Sequence, residues 1–389
     1  MFAGADPVET LELHSPNADE ALVSFESFLT SNRPVIFTLG YELGLALNSI
    51  RSKHQEQAKE PWIYAAAFDA LSVHDYVSGK TTIIGEAHAI DKLISLFGSR
   101  EVPVDPGAKA FELNSNFTPD EYAAAVLAIQ ERICNGDTYQ TNLTRKITAE
   151  LPDSLTPAQV FRRLRKNHPA PFAAYIERPG STVISASPER FFRIENGKIS
   201  TSPIKGTRPR GATPEEDRVL REELLHSPKD RAENTMIVDL LRNDLGRVCE
   251  FGSIHVESLC EIEQHPSLFH LASTIKGKPR SETTISDVIR ALFPCGSITG
   301  APKMSTMQII DEIERSPRGL SMGAIGIYMP PSFGMGEFID TSVAIRTVTV
   351  RNRTAEFNVG GGIVIDSDPQ SEYQETITKS LALLSTLGL

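Results

Sequence analysis

Apolar and polar residues alternate with a period of two over several parts of the chain, and this pattern predicts strands at 171–177, 181–194, 198–202, 252–260, 321–329, 337–350 and 354–366. Between them the apolar spacing lengthens to that of a helix near 156–167, 214–225, 228–247, 285–293, 302–315 and 369–387. Thr118-Pro119-Asp120-Glu121 opens a further helix, with a cap, a proline at the first position and acids in the first turn. Residues 1 to about 100 alternate strand-like runs (PVIFTLGYELG, PWIYAAAFDALSVHDYVSGKTTIIG) with short polar pieces. The stretch 101–117, with Pro103, Pro106, Gly107 and Asn-Ser-Asn, reads as a linker. Helices and mainly antiparallel strands interleave without a regular βαβ rhythm, so the expected class is α+β.

One hairpin draws the eye to a lysine. Asn196-Gly197 is the preferred pair for a two-residue type I′ turn between ERFFRIE and KISTS. Pairing 195 with 198 and stepping outward sets Glu189 opposite Ile204, so Lys205 falls within one position of Glu189. Strict alternation would place the two on opposite faces, but Pro203 cannot donate to the ladder and Gly206 permits a bulge. Glu189 and Lys205 are therefore expected to converge on one cavity. The plainer alternative is a cross-strand ion pair at the surface.

Charge and composition narrow the possible partners. The chain has 389 residues, 40% of them hydrophobic, and a formal net charge of −11. It can bury a large core, as two or three units or as two regions woven into one fold. The acidic balance and the absence of long Lys/Arg clusters argue against nucleic acid. Cys134, Cys249, Cys260 and Cys295 show no C-x-x-C spacing, which points to reduced thiols rather than a disulfide framework or a zinc site. MFAGADPVET has no signal-peptide pattern and no apolar run reaches membrane-spanning length, so a cytoplasmic protein without a membrane partner is expected.

Two loop motifs mimic nucleotide sites. Gly360-Gly361-Gly362 follows a strand, but Ile363-Val364-Ile365-Asp366 continues as strand, and a dinucleotide fingerprint needs a helix there. FPCGSITGAPK lacks the Lys-Ser/Thr of a phosphate loop, although its free N–H groups around 297–301 could hold an anion. VDLLRND lacks the histidine of a kinase catalytic loop. Carboxylates are a stronger signal: Asp230 and Glu233 share one helix face, while Glu372, Glu375 and Lys379 line another behind the Asp368 cap and Pro369. Four carboxylates from two helices could hold one Mg²⁺ and leave positions for a substrate carboxylate. For either helix alone, an exposed i,i+4 pair and acids complementing the helix dipole account for the spacing equally. His270, in SLFHLASTIKG, is recommended only by its near-neutral pKa.

Taken together, SPERF (187–191), PIKGT (203–207), KDRAENTMIVDLLRND (229–244), HLAST (270–274), FPCGSITGAPK (293–303), DTSVAIRT (340–347) and GGGIVIDSDPQSEYQET (360–376) resemble the chorismate-utilising enzymes. The resemblance covers about 115–389, a catalytic region, with 1–110 similar to a shortened N-terminal region packed into the same fold. It implies large, mainly antiparallel sheets forming a sandwich-like core with helices outside. It also implies that Glu233 and Glu375 bind Mg²⁺, with Asp230 and Glu372 reaching it through water. Arg346, Gly361, Gly362 and Lys379 match positions that hold substrate carboxylates. Ser297, Thr299 and Gly300 lie in the matching substrate loop, and Tyr328, just before PPSFGMG, is a further substrate-binding candidate. Glu189 and His270 match candidate proton-transfer groups.

Lys205 sorts the reactions within the family. PIKGT resembles the aminodeoxychorismate synthases, in which the resemblance implies attack by the lysine at ring carbon C2, loss of the C4 hydroxyl and entry of ammonia at C4. None of the four cysteines sits as a glutaminase nucleophile would, so the ammonia is expected from a separate glutamine amidotransferase subunit in a transient heterodimer. The alternatives are an anthranilate synthase large subunit, an isochorismate or salicylate synthase, and a catalytically silent chorismate-binding subunit.

Overall fold

The computed structural model describes residues 1–14, 17–97, 105, 107–265 and 268–389. Two antiparallel sheets dominate. The larger, ten-stranded, runs in the order Ile204–Pro209, Leu268–Gly277, Lys198–Ser202, Arg190–Glu195, Phe338–Val343, Ala324–Met329, Val35–Leu39, Ile63–Ala67, Glu9–Leu13, and His255–Gln264 also pairs with Leu268–Gly277. The seven-stranded sheet runs Gly300–Ala301, Gln140–Glu150, Thr354–Ile363, Thr347–Arg351, Ser181–Ser187, Phe172–Arg178, with Phe111–Ser115 added beside Gln140–Glu150. A small sheet of Phe2–Ala3, Ala70–Asp75 and Lys80–Gly85 stands apart.

The two large sheets face each other, as the apolar contacts show. Val183 of the smaller sheet packs with Leu320, Ile325 and Ala344 on the larger. Helices cover the outer faces: Ala18–Leu29, Pro228–Gly246 and Ile285–Leu292 lie on the ten-stranded sheet, and Pro157–Asn167 and Pro369–Leu387 on the seven-stranded one. The architecture is of the α+β class that the pattern predicts, built as the sandwich with helices outside that the resemblance implies. Strands of the first hundred residues enter the larger sheet directly, with Leu39 opposite Ala324 and Val35 opposite Tyr328. There Gly326 leaves room for the Phe37 ring, which stacks edge-on against Phe25 at 5.0 Å.

Helix starts follow the capping chemistry. Thr118 caps Pro119–Cys134 in a reciprocal box with Glu121, Ser227 caps Pro228–Gly246 through the Asp230 N–H, and Asp368 caps Pro369–Leu387 through the Ser371 N–H. Each such cap contributes about 1 kcal/mol.

Several expectations are corrected. The supposed linker carries the strand Phe111–Ser115, while Pro103 and Pro106 lie outside the described residues. The first hundred residues hold three α-helices among the described residues, Ala18–Leu29, Tyr41–Leu47 and Ala87–Phe97. The single strands expected at 181–194 and 337–350 each break in two, the second at Arg346, whose φ of 49° turns the chain. Gln140–Glu150 and Leu268–Gly277 are strands that the alternation hides, because Arg145, His270 and Ser273 occupy buried positions where apolar residues would mark the period.

Among the described residues no helix is long and apolar enough to cross a membrane. Glu42, 6% exposed, accepts a hydrogen bond from the Gly319 N–H at 3.1 Å, while its other oxygen has no partner. Burial pushes its carboxyl up to about 7, against the pull of backbone hydrogen bonds. Below the ordinary value of 4.5 both folded and unfolded chains keep the proton. As pH rises toward 7 only the unfolded chain ionises, so stability on the order of 3 kcal/mol is lost over that window. Glu42→Gln should abolish this loss: its melting temperature relative to the parent should rise between about pH 5 and about pH 8, and a pH-independent difference would refute the assignment.

Candidate active site

The strand Ile204–Pro209 brings Lys205 to the site by a route that the hairpin alone did not predict. Asn196 and Gly197 take the positive φ values of a type I′ turn, 52° and 69°, and Glu195 pairs with Lys198. A register shift between Arg190 and Arg193 then sets Arg190 opposite Ser202; beyond Pro203 the chain parts from this strand and continues along Leu268–Gly277, with which it already pairs from Ile199 to Thr201. Lys205 lies opposite Leu271 and Thr207 opposite His270, with the bulge at Gly206, φ 76°. Glu189 and Lys205 still meet: the Ile204 N–H and the Lys205 ammonium both act on the Glu189 carboxylate.

Glu189 is buried, and one of its oxygens finds no partner. Burial pushes its carboxyl up to about 7, and Ser297, Lys205 and the Ile204 N–H reduce the rise without cancelling it. The group is therefore partly protonated near neutrality and has a proton to give. His270 behaves oppositely. Burial, with the nearby Arg346 and His265, lowers it to about 4, so the ring is neutral, its Nδ1 2.9 Å from Thr207 Oγ1. The Arg346 guanidinium has no hydrogen-bond partner among the described residues, and burial alone lowers its pKa. A desolvated, unpaired guanidinium is a ready receptor for a carboxylate.

The loop Gly296–Ala301 joins Glu189 to the glycine run. Ser297 lies beside Glu189 and Cys295, Thr299 Oγ1 turns back to the Cys295 carbonyl at 3.1 Å, and Gly300, φ 146°, adopts a conformation that a side chain would block against the Gln140 carbonyl. Lys303 anchors the loop's far end, reaching Asp244 at 2.6 Å and the Leu292 carbonyl at 2.9 Å.

The two acid-bearing helices approach from either side of Lys205. Glu233 of Pro228–Gly246 lies 3.7 Å from its ammonium. Over Gly361, a point where a Cβ would sit lies 3.3 Å from Glu372 Oε2, 3.4 Å from Glu375 Oε1 and 3.6 Å from Lys379 Nζ. Burial opposes ionisation of Glu375, but Lys379, Lys229 and Lys205 outweigh it and hold its carboxyl below the ordinary value. Glu372, raised by burial despite a 2.6 Å hydrogen bond from Ser367, is the weaker acid of the pair. Asp230 folds over Gly206 and receives Arg208 at 3.4 Å.

Among the described residues no three His, Cys, Asp or Glu side chains form a ready-made metal cluster. Glu372 and Glu375 come together, Glu233 joins them through Lys205, and Asp230 stands aside. The donors are carboxylate oxygens from two helices, held by lysine ammonium groups, and this chemistry fits a hard divalent cation taking one or two carboxylates.

Tyr328 is not brought into this group. Its hydroxyl donates to Glu337 at 3.0 Å, four residues along its strand from Ala324, or about 13 Å at the usual rise. Gln140 belongs to the site and was not foreseen. It is fully buried against Gly362, with both amide atoms unpaired. Its signal, a glutamine in a polar run, is too common to single out.

A chain that folds lysine, paired acids and an anion loop around one cavity matches a known family. Residues 2–385 match the chorismate binding enzymes, and the protein belongs to that family. It is 41% identical over 284 residues to an aminodeoxychorismate synthase of Streptomyces pristinaespiralis, a match that takes in 73% of this chain but only 38% of that longer protein. It is 36% identical to aminodeoxychorismate synthase component 1 of Escherichia coli (strain K12), over 98% of this chain and 83% of that one. Anthranilate synthase component I of Streptococcus pneumoniae superimposes with a TM-score of 0.85 at 26% identity, covering 99% of this chain and 92% of that one.

Glu189, its carboxyl pushed up to about 7 by burial, is the candidate proton donor. Plotted against pH, kcat/KM for chorismate consumption should fall as pH rises through about 7, where Glu189 loses its proton. Glu189→Gln should lower the rate by roughly 10²- to 10⁴-fold. A rate that climbs through this range, or an active Glu189→Gln protein, would remove Glu189 from proton transfer.

Proposed function

We propose that this chain aminates chorismate at C4, giving 4-amino-4-deoxychorismate, with Lys205 as a covalent nucleophile. The observation that carries this reading is the position of the Lys205 amine: its side chain is only 13% exposed, 3.7 Å from Glu233, within electrostatic reach of Glu189 and Glu375. The two relatives named as aminodeoxychorismate synthases support it.

In this proposal Arg346, Lys379 and the N–H groups of Gly361 and Gly362 receive the substrate's carboxylates, and Ser297, Thr299 and Gly300 close over the ring. Lys205 first gives up its ammonium proton to solvent; its amine then bonds to C2, the two ring double bonds shift, and the C4 hydroxyl departs as water with the proton of Glu189. Ammonia then bonds to C4 and yields a proton to the Glu189 carboxylate, the double bonds shift back, and the C2–lysine bond breaks. Water leaves for each ammonia that enters. The neutral His270 serves as a hydrogen-bonding wall rather than as an imidazolium acid. Glu233 and Glu375, with Glu372 and Asp230 through water, would hold Mg²⁺, which when bound supplies positive charge opposite a substrate carboxylate.

The ammonia is proposed to come from a separate glutamine amidotransferase subunit. Burial pushes the Cys249 thiol up to about 11 and that of Cys295 up to about 12.

Mass spectrometry of the product from chorismate, Mg²⁺ and an ammonium salt tests the reading. The expected product is 4-amino-4-deoxychorismate, and Lys205→Ala should reduce it by roughly a hundredfold or more. Anthranilate with pyruvate would establish ortho-amination instead, and undiminished para-amination by Lys205→Ala would exclude covalent catalysis.

A further inference from the structure

Behind the substrate loop lies a buried ion pair that no catalytic step uses. Arg318 and Glu314 have side chains only 1% and 4% exposed. The guanidinium makes four hydrogen bonds: Nε to Glu314 Oε2 at 3.0 Å, one terminal nitrogen to Glu314 Oε1 at 2.7 Å and to the Asn142 carbonyl at 2.6 Å, and the other to the Ile298 carbonyl at 2.9 Å. Its flat face lies 4.6 Å from the Tyr41 ring. Glu314 is fixed in turn by the N–H and hydroxyl of Thr144, at 2.8 and 2.9 Å. Among the described residues Arg318 is the one charged side chain that donates to a carbonyl between Phe293 and Ala301.

The consequence follows from the planarity of the peptide bond. With the Ile298 carbonyl turned to Arg318, the N–H of Thr299 points away from the guanidinium, to the Gly296 carbonyl at 3.3 Å. The Asn142 N–H holds the next carbonyl, that of Thr299, at 2.7 Å, and so directs the Gly300 N–H in the same manner. Arg318 grips Asn142 as well, so one guanidinium sets two successive peptide planes of the loop. A lysine could keep the charge opposite Glu314 but could not span three acceptors on separate segments.

We propose that Arg318 is a positioning residue for substrate binding: it fixes the 298–300 peptide planes so that the Gly300 N–H faces the anionic substrate. This rests on the reading that the loop holds chorismate, and it does not depend on which product forms. Loss of the clamp should therefore weaken binding of substrate and transition state alike.

The experiment compares Arg318→Lys with Arg178→Lys. Arg178 forms a similarly buried fork with Glu60, at 2.5 and 3.0 Å, away from the loop, and so reports the cost of losing such a pair as such. Chorismate consumption is followed in each variant below its melting temperature, with product identity assayed separately. Arg318→Lys should raise KM for chorismate about tenfold with kcat within about threefold, while Arg178→Lys leaves KM within about twofold despite a comparable loss of thermal stability. Should Arg318→Lys not fold, Glu314→Gln, which loosens the same guanidinium, should raise KM in the same sense. An unchanged KM in the folded loop variant, or equal KM changes in the Arg318 and Arg178 variants, overturns the proposal. The assay of wild-type product bears on the reaction alone, so a wrong reaction assignment is separable from a wrong clamp.

Discussion

The charge balance around Lys205 is the constraint on which the site depends. Its ammonium stands 3.7 Å from Glu233 on one helix and within the field of Glu375 on another. At an effective dielectric of about 20 an ion pair at this distance is worth roughly 4 kcal/mol before desolvation, which offsets much of it. The net gain is modest, but without the amine the acids of two helices would face one another uncompensated. The lysine thus permits the helices to converge, and the same proximity makes its amine available to a bound ring. Every other feature of the site, from the glycine run to the anion loop, is arranged around a cavity that this balance keeps open to negative charge.

The same electrostatics divides labour between two candidate acids that the sequence could not rank. Glu189 and His270 are both buried, yet burial acts oppositely on them because it penalises whichever form is charged. The carboxyl rises to about 7 and retains a proton, whereas the imidazole falls to about 4 and loses one. Arg346 adds to the second effect. One environment therefore yields one proton donor and one neutral hydrogen-bonding group.

Much of the fold was legible because its elements carry local signals. The helices at 119, 228 and 369 begin with cap, proline and acid, and the Asn-Gly turn has the backbone that its residues require. What could not be read are strands whose buried faces are polar. Gln140–Glu150 buries Gln140, Asn142, Thr144 and Arg145, and Leu268–Gly277 buries His270 and Ser273, so alternation fails where the sheets line the site. Register was lost for a related reason: at Pro203 the chain parts from its hairpin partner and is held only by Leu268–Gly277, a strand distant in sequence that it already pairs with from Ile199. The convergence of Glu189 with Lys205 was anticipated all the same, because both registers bring the two residues to the same end of the sheet. Tyr328 failed because proximity in a motif says nothing about which end of a strand a side chain occupies.

Some of the buried polar groups left without partners, such as Ser31 and Glu42, lie elsewhere in the fold, but several gather at the site. Gln140, Asn142 and Glu189 each bury an unpaired atom, and the Arg346 guanidinium has no hydrogen-bond partner among the described residues; all four flank the loop, the glycine run or His270. An unpaired buried group costs about 1–3 kcal/mol, and selection for stability alone would replace it with an apolar side chain. Their concentration in one place means that the unliganded fold is under-satisfied where a polar, doubly anionic substrate would complete it. The Arg318–Glu314 pair, whose guanidinium makes four hydrogen bonds, lies immediately behind this region. A well-bonded support backing a surface with several groups left open lets binding satisfy those groups without rebuilding the loop that presents them.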